Sequence, residues 1–98
     1  MNKIEKYLLQ EFLKIGFQFE GPVRKWDYFR VTKKNLEIRF KIYSGEQVEI
    51  WGSFFLIQIV FSQKKIIKKN IFKTGKIQFQ EIILLKKINE IIEKFFIG

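Results

Sequence analysis

The residues best suited to binding chemistry lie in one lysine-rich segment between Ser62 and Lys76. No Asp or Glu occurs from Ile50 to Gln80, so no neighbouring acid offsets this positive charge. Such a surface attracts polyanions, or an acidic patch on another protein. If the lysines follow a nucleic-acid backbone, each phosphate they neutralise releases a counterion, and binding depends on salt. The candidate binding lysines are Lys64, Lys65, Lys68, Lys69, Lys73 and Lys76.

The same lysines fit two explanations that involve no ligand. Lysine on an edge strand prevents pairing with other sheets, and a chain this rich in Ile and Phe needs such protection. The chain also lacks Ala, and Lys outnumbers Arg sixteen to three, a composition that an AT-rich genome produces. The pattern alone favours neither binding nor edge protection.

A second candidate is an aromatic strand face. Trp26, Tyr28 and Arg30 alternate along one strand and share a face, as in the base-stacking platforms of single-strand binders. Phe29 and Val31 occupy the opposite face, so alternation does not decide which face is exposed. Because aromatic residues at strand spacing usually lie in the core, we favour packing in the core or at its rim.

Catalytic groups are scarce in this sequence. The absence of His and Cys removes the usual base at neutral pH, the thiol nucleophile and the soft metal ligands. Asp27 is the only Asp, and Ser44, Ser53 and Ser62 fall in predicted turns outside any nucleophile motif. We therefore predict a protein that is not an enzyme, with no catalytic residues, no metal site and no cofactor.

Two amphipathic helices begin and end the chain. Residues 2–15 carry apolar side chains at i, i+4, i+8 and i+11, and about 78–96 form a second helix. Its apolar stripe covers nearly half the circumference, so either the two helices pack together or part of the stripe meets a partner. Ile83 and Leu13 lie outside the two stripes and would make a patch suited to a homodimer. The second stripe consists of Ile82, Leu85, Ile88, Ile92, Phe95 and Phe96, widened by Leu84 and Ile91.

Strand-forming segments fill the region between the helices. Residues 36–43 alternate most clearly, with one apolar and one polar face. The other predicted strands are 24–32, a stretch through Val48 and Ile50, 54–61 and an edge strand at 66–73. Residues 54–61 are apolar on both faces, which predicts a strand covered on both sides. A short extended piece at 17–20 runs into Gly21-Pro22, which we interpret as a turn.

The predicted architecture is one α+β domain over residues 1–98. It is a two-layer sandwich with an N-terminal helix, an antiparallel meander of four to five strands and a C-terminal helix. The longest apolar run is broken by Gln58 and falls far short of the ~20 residues of a membrane helix. We expect a cytoplasmic protein that does not bind membranes.

These features support two functional interpretations. The first is a small basic protein that binds a nucleic acid or nucleoprotein complex through its lysine-rich surface. The second is a protein–protein inhibitor or adaptor, for example a phage or mobile-element inhibitor of a host defence complex of the CRISPR type. Trp51, with Tyr43 near it across a hairpin, fits the second as an exposed aromatic anchor. An acidic protein surface is a further candidate partner.

Overall fold

The computed structural model describes residues 3–23, 28–43 and 46–97. Within these residues the chain forms two helices and one antiparallel sheet whose six strands follow chain order. The α+β sandwich with terminal helices and a meander is thus confirmed, with one strand more than predicted. The elements are α1 (Lys3–Lys14), β1 (Gln18–Val23), β2 (Tyr28–Lys33), β3 (Leu36–Tyr43), β4 (Gln47–Trp51), β5 (Phe55–Ser62), β6 (Lys65–Lys73) and α2 (Phe79–Ile97).

The additional strand is β1, and it contains the Gly21-Pro22 pair that we expected to form a turn. Gly21 pairs with Arg30 and Pro22 with Phe29, after a bulge between Phe19 and Gly21. Gly21 has a φ of 87°, which glycine adopts without strain at a bulge. Because β1 is an edge strand, a proline without an amide hydrogen is tolerated there.

The predicted strand at 24–32 is described from Tyr28 onward. Its first part, with the candidate residue Trp26, lies outside the described residues. The predicted turn residue Ser44 also lies outside them. By contrast, β3 has the predicted bounds, because its alternation is uninterrupted from Leu36 to Tyr43.

Both helices pack on one face of the sheet. The Phe12 ring of α1 stacks on Phe40 of β3 with 5.9 Å between centroids, and Phe96 of α2 lies 5.1 Å from Phe61. α1 ends in a glycine cap, because the Phe17 amide donates to the Phe12 carbonyl and Gly16 has a φ of 96°. The largest fully buried side chains are Phe12, Phe40, Leu8, Ile38, Ile50, Ile57, Ile59, Ile88, Ile92, Val31 and Val48.

The wide apolar stripe of α2 is explained by contact between the helices. The Tyr7 hydroxyl of α1 donates to the Ile91 carbonyl over 2.6 Å, and its ring lies 5.0 Å from Phe95. Of the two alternatives left open by the sequence, helix packing is therefore the one that the fold adopts. Among the described residues, neither helix combines the length and hydropathy of a membrane-spanning segment.

The first turn of α2 differs from the prediction. Ile82, expected in the core, is 38% exposed, whereas Glu81 is buried. The Glu81 carboxylate accepts hydrogen bonds from the backbone amides of Ser53 (3.0 Å) and Phe54 (3.4 Å). These bonds fix the rotation of the helix start, so a carboxylate occupies the position that periodicity assigns to an apolar residue.

β5 is covered by the helices on one face only. Phe55, Ile57 and Ile59 are buried in the core, while Leu56 and Val60 are half-buried on the opposite face. The expectation of cover on both faces was therefore wrong. The second apolar set on β5 belongs to the sheet surface that faces away from both helices, here called the open face.

Candidate nucleic-acid interface

One row of side chains crosses the open face perpendicular to the strands. The pairing registers place each member directly opposite the next, one from each strand between β2 and β6. With neighbouring strands ~4.8 Å apart, the row is roughly 19 Å long. This cross-strand row consists of Arg30, Arg39, Trp51, Leu56 and Phe72.

Arg39 lies between two aromatic rings at the β2 side of the row. Its guanidinium carbon is 5.7 Å from the Tyr28 ring centroid and 5.4 Å from that of Trp51, within cation–π range. A cavity of about 320 Å³ opens at this stack, at the lower end of the range for ligand sites. It is lined by Tyr28, Arg39, Phe40, Lys41, Tyr43 and Trp51.

The only acid that pairs with these arginines in the described part of the chain is Glu37. Its carboxylate oxygens are 3.6 Å from Arg39 Nε and 4.0 Å from Arg30 Nη1. All three side chains are about 35–43% exposed, so the pairs contribute little to stability. An incoming anion therefore competes with weak ion pairs.

A hydrogen-bonded carboxylate supports the other wall of the cavity. Glu49 is buried and accepts from the Tyr43 hydroxyl and from Gln58 Nε2, each over 2.8 Å. Burial, and then the hydrogen bond and charge of Glu49, raise the pKa of Tyr43 above its usual value. Lys41 lies over the Tyr43 ring, 4.8 Å from its centroid. These hydrogen bonds fix the position of Tyr43 and satisfy the buried Glu49 carboxylate.

The predicted lysine-rich segment does not form a single surface, because β6 alternates. Lys68 lies opposite Val60 and Lys65 opposite Ser62, which places both on the open face. Lys69 lies opposite the core residue Ile59, on the helix side.

Of the remaining lysines, Lys69 and Lys73 lie on the helix side of β6. Lys69 Nζ donates to Asn89 Oδ1 over 2.6 Å and is 3.3 Å from Glu93 Oε1, joining β6 to α2. Lys73 pairs with the core residue Phe55 at the strand end. Lys64 and Lys76 lie in the turns before β6 and α2.

The fold thus gathers part of the predicted set. Tyr28, Arg30, Trp51, Lys65 and Lys68 share the open face. Phe29 and Val31 face the helices instead, so the expectation that the face of Tyr28 and Arg30 packs in the core was wrong.

Other members of the site were not selected from the sequence. Arg39, Lys41, Leu56 and Phe72 belong to it because of pairing between strands. Arg39 could have been found by aligning residues 36–43 with the strand that ends at Trp51, because a short hairpin places the two opposite each other.

No cluster of His, Cys, Asp and Glu within the described ranges is suited to hold a metal ion. Comparisons with family models, curated proteins and solved structures find no match to this chain. The site must therefore be interpreted from its own chemistry.

Proposed function

We propose that this protein binds nucleic acid through the open face of its sheet and catalyses no reaction on it. The stack of Tyr28, Arg39 and Trp51 carries the proposal. It lies on a sheet face that neither helix covers, in a chain of net charge +9. The proposal retains the cytoplasmic location expected from the sequence.

The chemistry of the open face suits this ligand. Every base has a π-face that stacks on an aromatic ring or on a guanidinium plane, whatever the sequence. The half-exposed Trp51 offers such a ring, and Arg39, held between Tyr28 and Trp51, offers donors for phosphate. Lys41, Lys65 and Lys68 add positive charge on the same face, while the buried Glu49 is occupied by hydrogen-bond donors.

The test is binding of labelled single- and double-stranded DNA and RNA at several salt concentrations, with wild type and two variants. Trp51→Ala removes a ring of the stack, and Phe79→Ala removes a ring that is 75% exposed at the start of α2. A base–aromatic stack is worth about 1–3 kcal/mol, so Trp51→Ala should weaken binding roughly 5- to 150-fold. Phe79→Ala should leave it unchanged.

Affinity should also fall linearly with the logarithm of salt concentration. Undetectable binding at low salt, or equal losses for the two variants, would overturn the proposal.

A second candidate is a protein–protein inhibitor or adaptor, in the form of a phage or mobile-element protein directed at a host nucleoprotein complex. It is favoured by exposed apolar side chains on the helix side. Phe79 and Ile83, four residues apart on α2, are 75% and 53% exposed, and adjacent exposed apolar side chains mark an interaction site more often than scattered ones do. A protein partner that remains bound after nuclease treatment would support this candidate. Its binding should survive Trp51→Ala and be lost in the double variant Phe79→Ser with Ile83→Ser.

The homodimer expected from Leu13 and Ile83 remains a proposal of the same kind. Both side chains are exposed, at 46% and 53%, and neither belongs to the core. Sedimentation equilibrium over a hundredfold range of protein concentration tests it. A monomer mass that does not change with protein concentration would rule out the homodimer.

A further inference from the structure

The cross-strand row continues beyond the arginine stack to the far edge of the sheet. Trp51 lies opposite Leu56, and Leu56 lies opposite Phe72 on β6. Phe72 is 54% exposed and contributes nothing to the core, so packing does not account for an aromatic residue there. The open face therefore has two aromatic groups, Tyr28 and Trp51 on either side of Arg39, and Phe72 at the β6 end of the row.

The spacing of these rings selects an unpaired strand. Trp51 and Phe72 are two strands apart, roughly 10 Å at the backbone. Stacked bases of a duplex are 3.4 Å apart along each strand, and their faces are covered by neighbouring bases. Only a single strand with splayed bases can place one base in the Tyr28–Trp51 cavity and another against Phe72.

Positive charge lies along one side of the row. Lys41 of β3 and Lys68 of β6 are displaced from the row toward the same end of the sheet, Lys41 at the cavity and Lys68 four residues from Phe72 along β6, roughly 13 Å away. Between them lie the buried Glu49, which accepts hydrogen bonds from Tyr43 and Gln58, and then the uncharged Gln58 and Asn70 on β5 and β6. A backbone that follows this side meets a cation near each end and no exposed carboxylate between them.

We infer that a short unpaired segment of RNA or DNA lies across the sheet, perpendicular to the strands. One base occupies the cavity at Tyr28, Arg39 and Trp51, another packs on Leu56 and Phe72, and the phosphates face Lys41 and Lys68. This inference rests on the proposed function and adds a ligand form, a path and a second stacking residue. Phe72 is the residue that distinguishes it from binding at the cavity alone.

The experiment measures the affinity of oligothymidylates and oligouridylates of one to six nucleotides for wild type and variants. Affinity should rise by roughly 5- to 150-fold, the factor for one base–aromatic stack, once the oligomer reaches Phe72, and then level off. Phe72→Ala should abolish that gain for long oligomers and leave mononucleotide affinity unchanged. Trp51→Ala should weaken binding at every length.

Two controls separate stacking from loss of structure. Ile71→Ala changes the neighbouring side chain, which lies opposite the core residue Ile57, and should preserve the length dependence. Phe72→Leu keeps an apolar side chain without a ring and should still lose most of the gain. Circular dichroism and thermal melting establish that each variant is folded.

The outcomes distinguish this inference from the proposed function. Suppose that Trp51→Ala loses affinity, while Phe72→Ala and Ile71→Ala bind six-nucleotide ligands with equal affinity. The proposed path is then wrong, but nucleic-acid binding at the cavity is retained. A duplex that binds as tightly as its separated strands overturns the single-strand assignment. No binding of any oligonucleotide by wild type at low salt refutes both. Oligodeoxyuridylates and oligouridylates differ only in the sugar, so the tighter of that matched pair identifies it.

Discussion

Lys68 and Lys69 are neighbours in sequence, and their replacement by methionine should give opposite results. Lys→Met keeps an unbranched side chain only one atom shorter and removes one positive charge, so the two variants have the same net charge. Lys68 lies on the open face opposite Val60. Lys69 lies on the helix side, 2.6 Å from Asn89 Oδ1 and 3.3 Å from Glu93 Oε1.

The expected stability changes follow from these contacts. Lys69→Met loses one hydrogen bond worth about 1 kcal/mol and a partly exposed ion pair worth about 0.5 kcal/mol. At 4–8 °C per kcal/mol for a chain of this size, its Tm should fall by roughly 6–12 °C. Lys68→Met removes no hydrogen bond or ion pair to the part of the chain that the structure describes, and should change the free energy of unfolding by less than about 0.5 kcal/mol.

The expected binding changes are the reverse. If Lys68 contacts a phosphate of a single strand, Lys68→Met lowers the slope of log affinity against log salt by about 0.7. Lys69→Met should leave that slope unchanged below its melting temperature. Melting followed by circular dichroism gives the first quantity, and fluorescence anisotropy of a labelled oligonucleotide at five salt concentrations gives the second.

Two results would refute this reasoning. Equal reductions of the salt slope would mean that the lysine-rich segment acts as one surface irrespective of strand face. A larger loss of Tm in Lys68→Met than in Lys69→Met would mean that the alternation of β6 is inverted.

The β4–β5 turn and the open face provide three further tests. A Cβ on Gly52 would lie 2.2 Å from the buried Phe55 ring, so Gly52→Ala should cost about 1–3 kcal/mol; an unchanged urea midpoint would contradict this. Glu81→Ala removes the acceptor for two backbone amides of the turn and should cost about 2 kcal/mol in urea unfolding, whereas under 0.5 kcal/mol would argue against a structural role. Because the pKa of Tyr43 is raised in the folded state by burial and by Glu49, its hydroxyl stabilises the protein below pH 10. That contribution is lost as pH rises through the folded pKa, so Tyr43→Phe should flatten the fall in stability above pH 10, and parallel curves would exclude it.

Local periodicity was sufficient for most secondary structure. The alternation of Leu36, Ile38 and Phe40 predicts β3 with its observed bounds, because a half-buried strand needs a period of two. The spacing of Leu8 and Phe12 similarly predicts α1 and its buried stripe. These patterns show which side of an element is buried, and the side chains of the element itself are sufficient to reveal it.

Departures from prediction occur where an element responds to a neighbour. Gly21-Pro22 has the composition of a turn, yet pairing with β2 keeps it in an edge strand by means of a bulge. Ile82 fits the apolar period of α2, but hydrogen bonds from the β4–β5 turn to Glu81 set the rotation of the helix start. The Glu81 contact joins residues 28 apart in sequence, so no local pattern identifies it.

By itself, the sequence determined the fold class, the excess of positive charge and the aromatic residues available for stacking. Tertiary structure alone decided which of these residues share a surface. Strand pairing placed Arg39 between Tyr28 and Trp51, and the position of the helices left that face open. It also separated Lys68 from Lys69, since adjacent residues of a strand point to opposite faces and only the position of the core identifies the exposed one.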